Sequence, residues 1–372
     1  MSSLPFPRVL FIAVLALPVS AGARSGPYAD EAGKNEAGKT HYMTGQEMLA
    51  LAEASKAHYV FNTVKSVDEL PAYRHPAWPQ KPLPRTPDPY VEVHPDGSRS
   101  LGRLTFSKET TEAMRKAEAF FQKKQYLEAL EIYRDAAKAD PKCHLLSLDM
   151  GDCFLFSGNL LAAVEQYEKA IALNPADFHG YWYRASALLE LKKRDEARHA
   201  YARALAMAPR YPELLKAIHA RSDRLGIDVR EAIFHPRAAA QQKGDQFIVS
   251  TVEEEPLRPY WLVYGLCRAI WMAEEDHRLA MTNHKEHNWT NTEDLECTGN
   301  LVAMYNAMKE DGKVPADPEL ELLDAALMDK QLDGFVGYEF GSQATPDYAL
   351  YLDEAQQEHM ADFVEKYVFQ PK

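Results

Sequence analysis

The chain has 372 residues, of which 46% are hydrophobic and 26% charged, and a formal net charge of −13. These are ordinary globular values, with enough length for two domains and connecting arms. The acidic balance excludes nucleic acid as a natural partner and disfavours anionic membrane surfaces, because both need a basic face.

Taken from the start, Arg8 precedes an apolar run from Val9 to Leu17 that Pro18 closes, and Ala21-Gly22-Ala23 follows. That run is shorter than the roughly 18 residues that a membrane span needs. Its flanks fit a secretory signal over residues 1–23 that is cleaved near Gly22 or Arg24. Export to the periplasm or outside the cell is therefore expected, with no stable membrane insertion after cleavage.

Residues 24–109 read as an N-terminal arm. Thr44 to Val60 is expected as one short helix, with Met48, Leu49, Leu51 and Ala52 on its apolar side. Eight prolines fall between Pro71 and Pro95, a density that favours extended polyproline II over helix or central strand. From Tyr90 to Phe106 the chain alternates weakly around His94-Pro95-Asp96-Gly97, which predicts a small hairpin.

A 34-residue period begins next. Pro141, Pro175 and Pro209 keep it, as do Ala136, Ala170 and Ala204, and Tyr133, Tyr167 and Tyr201. Ala129, Ala163 and Ala197 are in step, and so are Ala117, Gly151 and Ala185, followed by Phe120, Phe154 and Leu188. Each copy predicts two helices whose small residues allow close approach, with an aromatic filling the space and proline ending the pair. These three copies, over 110–209, resemble tetratricopeptide repeats, although the early tryptophan of that pattern is replaced by Ala113, Ser147 and Tyr181. The resemblance implies an α-solenoid, and Pro212 to Leu225 is placed to be its capping helix, closing a domain at about residue 226.

Residues 227–256 read as a linker that contains one β-like stretch, Gln246 to Val252, a candidate partner for the hairpin. Residues 257–372 read as a separate acidic helical domain. Acidic side chains outnumber basic ones 26 to 9 over 244–372, whereas 110–209 is balanced at 14 each. Its helices are expected from Leu257 to about Met281, from a Thr290/Glu293 capping box through Met308, from Pro318 to a stop at Gly334, and from Pro346 to about Val368. The overall class is all-α, with a minor β hairpin.

In tetratricopeptide arrays the first helix of each pair lines a concave groove. Carried onto this chain, that stripe is Thr111, Met114, Glu118, Phe121 and Gln122, then Leu145, Leu148, Asp152, Leu155 and Phe156. The third copy adds His179, Trp182, Ser186, Leu189 and Glu190. One subgroup of the family grips a carboxylate with basic residues here. Met114, Glu118, His179 and Tyr183 stand in those places, so the clamp is missing. The expected partner is a protein or peptide with apolar and aromatic side chains, and the expected role is scaffold or adaptor. Two alternatives stay open: the groove is filled by the chain's own proline-rich arm, or an enzyme or metal site lies within 257–372.

For that last reading the sequence offers Glu274 and His277, three apart, and His284-x-x-His287. A di-metal carboxylate bundle needs two such motifs. No phosphate loop, nucleophile elbow or zinc-protease motif occurs, so no catalytic residue, metal or cofactor is assigned. Cys143 and Cys153 are too far apart along one helix to bond, while Cys267 and Cys297 are free to pair across neighbouring helices.

Overall fold

A computed structural model describes residues 42–71, 84–230, 233–253, 258–288 and 290–372. The expected signal segment, and Tyr73 and Trp78 of the proline-rich arm, lie outside the described residues. The described residues form two compact units, one within 42–71 and 233–340 and the other within 84–230 and 341–372. The structure is mainly helical, and none of the described helices is long and apolar enough to cross a membrane.

Helix α1, Gly45–Ala54, opens on a capping box in which Thr44 and Glu47 satisfy each other's backbone N–H groups. It stops short of the expected Val60. Ser55 turns extended and His58–Val64 becomes strand β1, as its aromatic and β-branched run Tyr59-Val60-Phe61 favours. Strands β2, Pro89–Val93, and β3, Arg99–Arg103, form the expected hairpin, with Val91 opposite Leu101. Gly97 takes φ 82° in its turn, where a side chain would be strained.

Six helices follow in three pairs: α2 Lys108–Phe121 and α3 Tyr126–Ala139, α4 His144–Phe156 and α5 Leu160–Leu173, α6 Phe178–Glu190 and α7 Arg194–Met207. The periodic residues are the packing residues. Tyr133, Tyr167 and Tyr201 are buried, as are Ala129, Ala163 and Ala197. A Cβ on Gly151 would sit 2.4 Å from the Tyr167 ring, so glycine sets how closely α4 meets α5. Within each pair the turn closes by one repeated bond, in which the N–H of Gln125, Asn159 or Lys193 reaches the carbonyl of Phe120, Phe154 or Leu188. The left-handed residue of these turns is Lys124, Gly158 and Lys192 in succession.

The capping segment is two helices rather than one. Helix α8, Pro212–His219, breaks at Ala220, and α9, Ser222–Leu225, ends on the left-handed Gly226. Within the expected linker 227–256, the described residues include strands β4 Ile227–Val229, β5 Ala238–Lys243 and β6 Gln246–Val252. Strand β6 pairs in parallel with β1 and antiparallel with β5, and not with the hairpin. The partner of β1 was invisible locally because it lies so far along the chain.

Helix α10, Tyr260–Ala273, crosses this sheet at close range: a Cβ on Gly265 would lie 2.7 Å from Val249. The expected single helix to Met281 breaks at Glu274, and α11 is Glu275–Thr282. Helix α12, Asn291–Glu310, is tied to α10 by a Cys267–Cys297 disulfide, while Cys143 and Cys153 are free and buried. The expected capping box is not formed: Thr290 makes no side-chain cap bond, and the Glu293 side chain turns inward to Arg268. Helix α13, Pro318–Met328, ends before Lys330, and Gly334 lies inside a further short helix, α14 Leu332–Val336, rather than stopping the first.

The last segment belongs with the repeats, which corrects the expected 257–372 domain. Helix α15, Glu354–Phe363, starts on an Asp353/Gln356 capping box and lies against α7, where Arg203 reaches Glu358 at 2.8 Å and Gln357 at 3.0 Å. Strand β7, Phe369–Pro371, then pairs antiparallel with β4.

Candidate functional site

The first helices of the three pairs, α2, α4 and α6, together border a cavity of 390 Å³ in the repeat unit. Met114 comes from α2, Leu145 and Leu148 from α4, and Phe178 and Tyr183 from α6, with Tyr211 at the far end. Asp149, Asp152, Asp177 and His179 supply its polar lining. The remaining wall is the chain's own segment Arg85 to Pro89.

Of the expected groove stripe, Met114, Leu145, Leu148, Asp152 and His179 line this cavity. Glu118 is exposed beside it and acts on its carboxylates through space. Phe121 and Phe156 meet edge to face at 5.5 Å, and Phe156 stays 58% exposed. Trp182 is half-buried and stacks on Phe178, while Leu155 packs into the core around Tyr167. Leu189 is buried and Ser186 bonds Tyr201 at 2.9 Å, so both serve helix packing instead of the groove. Thr111, Gln122 and Glu190 lie exposed, and none of them lines the cavity.

The lining is more polar than the expected apolar stripe. Asp149 was missed, although it falls four residues after Leu145 and three before Asp152, on one helix face. Phe178, Asp177, Tyr211 and Arg85–Pro89 were missed as well. The first three flank the ends of α6 and α8, where the repeat pattern is silent.

The carboxylates differ in their surroundings. Burial, then the charges of Asp152 and Glu118, pushes Asp149 up to about 7 against a hydrogen bond from Tyr133. Burial likewise pushes Asp152 up to about 6; the hydroxyl of Tyr167, donating at 2.6 Å, opposes this and Glu118 adds to it. For Asp177 burial is outweighed. Hydrogen bonds from His144 at 3.0 Å and His179 at 2.7 Å hold its carboxyl well below the usual range.

The segment at the groove's edge is pinned by its own bonds. Arg85 donates to the carbonyls of Pro346 and Met207 at 2.7 and 3.2 Å, and its guanidinium lies 5.1 Å over the Phe178 ring. Thr86 donates twice to Asp347, and Asn174 donates to the Pro89 carbonyl at 2.9 Å.

The other unit holds a buried polar network where the sequence suggested chemistry. Glu274 and His277 do not converge: Glu274 accepts from Ser55 and Tyr59, and His277 bonds Glu296 at 2.9 Å. His287 bonds Glu293 at 2.9 Å, and Arg268, fully buried, meets Glu293 at 3.1 Å and Asp294 at 2.6 Å. Among the described residues, only His199 with Glu358 and Asp362 groups three ligand types closely enough for a metal ion. That imidazole already bridges Glu358 and Glu365 at 3.1 Å each.

Comparison with known proteins agrees with the repeat geometry. Family models described as tetratricopeptide repeat match residues 113–143 and 148–212. U-box domain-containing protein 70 of Oryza sativa subsp. japonica is 30% identical over 99 residues, covering 27% of this chain and 12% of that protein. Hsp70-Hsp90 organizing protein 2 of Arabidopsis thaliana is 27% identical over 107 residues, 29% of this chain and 19% of that protein. The chain thus spans under a fifth of the length of the curated relatives it matches. Among solved structures, the first repeat domain of Spaghetti (RPAP3), bound to the HSP90 peptide SRMEEVD, is similar at 25% identity with a TM-score of 0.31. That match covers 32% of this chain and 98% of the other. The Yersinia enterocolitica secretion chaperone SycD, in complex with a YopD peptide, is 18% identical over 32% of this chain and 92% of its own, with a TM-score of 0.30.

Proposed function

We propose, from the premise that residues 110–209 are tetratricopeptide repeats, that this protein is an exported scaffold that holds a segment of another polypeptide in its concave groove. The observation that carries this reading is the 390 Å³ cavity between the first helices of all three repeats. A pocket of this size with apolar walls and a few convergent polar groups is the usual form of a binding site. Apolar or aromatic side chains of the partner would pack on Met114, Leu145, Leu148 and Tyr183. The carboxylates on the same wall would fix its register.

Export is supported by the apolar N-terminal run and by the Cys267–Cys297 disulfide, since such bonds persist in oxidising compartments. The partner is not gripped by a basic clamp, whose places hold Met114, Glu118, His179 and Tyr183.

The test is selection of short random peptides by the immobilised full-length protein, compared with a Met114→Trp variant whose indole would enter the cavity. Peptides should be enriched on the wild type and not on the variant, with both proteins melting alike. Enrichment that is equal on both, or absent on the wild type, would rule the groove out.

A further inference from the structure

The groove carries negative charge that its own neighbours leave uncompensated. Glu118 from α2 and Asp149 and Asp152 from α4 are near enough for their charges to act on one another. Tyr133 and Tyr167 give two of them hydrogen bonds but no positive charge. Among the described residues none of the three is in an ion pair. The basic groups on the same wall are engaged elsewhere, Arg85 at Asp347 and His179 at Asp177.

Beside these carboxylates stand aromatic faces. Phe178 already carries one guanidinium, that of Arg85, 5.1 Å over its ring, and Tyr183 and Tyr211 line the same cavity. Carboxylates that accept charge-assisted hydrogen bonds and rings that attract cations are the two means by which proteins bind lysine and arginine. We infer that the groove selects a partner segment bearing a lysine or arginine between apolar residues, an inference that rests on the peptide-holding reading above. The incoming cation sits among Glu118, Asp149 and Asp152, and its apolar neighbours cover Leu145 and Leu148. An acidic segment would instead add negative charge to an acidic cluster, which discriminates against it. This charge preference is opposite to that of a basic clamp, whose places here hold Met114, Glu118, His179 and Tyr183.

The enriched peptides of the selection above provide the probe. Basic residues should recur at one position among them. Replacing that residue by norleucine in a resynthesised peptide should weaken binding to the full-length protein by about tenfold or more, close to 1.4 kcal/mol. In an Asp149→Asn/Asp152→Asn variant the basic peptide should lose that advantage, while the norleucine peptide binds as before. Glu118→Gln, at an exposed position, should reduce the advantage in part. Amide for carboxyl keeps the shape and removes repulsion, so both proteins should melt no lower than the wild type. Enriched peptides without basic residues, or a preference that survives the two asparagines, overturn this inference and leave the groove reading standing. No enriched peptide at all removes the groove reading itself.

Discussion

Tyr167 donates its hydroxyl hydrogen to Asp152 across 2.6 Å, joining the second helix of the middle repeat to the groove face of the first. The matching bond in the third repeat joins Tyr201 to Ser186 at 2.9 Å. The periodic tyrosine thus does more than fill space: its buried ring spaces the helices, and its hydroxyl ties the second helix back to the first.

These carboxylates give a pH signature of definite sign. Asp149 and Asp152 are raised in the folded protein to about 7 and about 6, above their usual value. Between about pH 4 and 7 the folded state therefore keeps protons that the unfolded chain has lost, and stability falls as pH rises through that window. The loss should be on the order of a few kcal/mol in urea unfolding at pH 5 and pH 8. Asp177, which is lowered, titrates below this range, and raised His199 acts in the same direction. Comparison with Asp149→Asn isolates the groove, because the variant should be the more stable protein at pH 8 and show a flatter profile. Identical pH profiles for the two proteins would mean that Asp149 is ionised throughout.

The turns inside the repeats offer a second measurement. Lys124 and Lys192 hold φ of 61° and 63° where the middle repeat has Gly158. A side chain in that region is strained, while the bonds to the Phe120 and Leu188 carbonyls need only the backbone. Lys124→Gly and Lys192→Gly should each raise stability by roughly 0.5–1 kcal/mol. Gly158→Lys should lower it by a similar amount. Unfolding midpoints that move the other way would show that the lysine side chains make a contribution outweighing the strain.

In the other unit, Arg268 is the buried cation facing Glu293 and Asp294. Arg268→Met would leave two carboxylates in the interior without it, a change that costs about 3–5 kcal/mol in comparable sites. Urea unfolding should register that loss. A change below about 1 kcal/mol would instead indicate that these carboxyls are already neutral in the folded protein.

Legibility in the sequence followed the range of the interactions. The repeats could be read because each periodic alanine, tyrosine and proline packs within its own pair of helices, so the pattern is local. Strand β1 could not, since Tyr59, Val60 and Phe61 find their partners in Phe247, Ile248 and Val249, far along the chain. The groove stripe was half visible. Met114, Leu145, Leu148, Asp152 and His179 follow from the resemblance to tetratricopeptide repeats, but Leu189 and Ser186 serve helix packing. Asp149 stands outside the family's stripe positions, although it shares a helix face with Leu145, Leu148 and Asp152.

The two units interleave along the chain, and this orders events during synthesis. Strand β1 emerges early but has no sheet until β6 has left the ribosome, well after the repeats. The repeats in turn wait for α15 and β7, far beyond them in the chain, to give Arg203 its carboxylate and β4 its partner. Long-range pairings of this kind close late. A fragment cut at the borders of the repeats would therefore carry Arg203 without its carboxylate and lack the β4–β7 pair altogether.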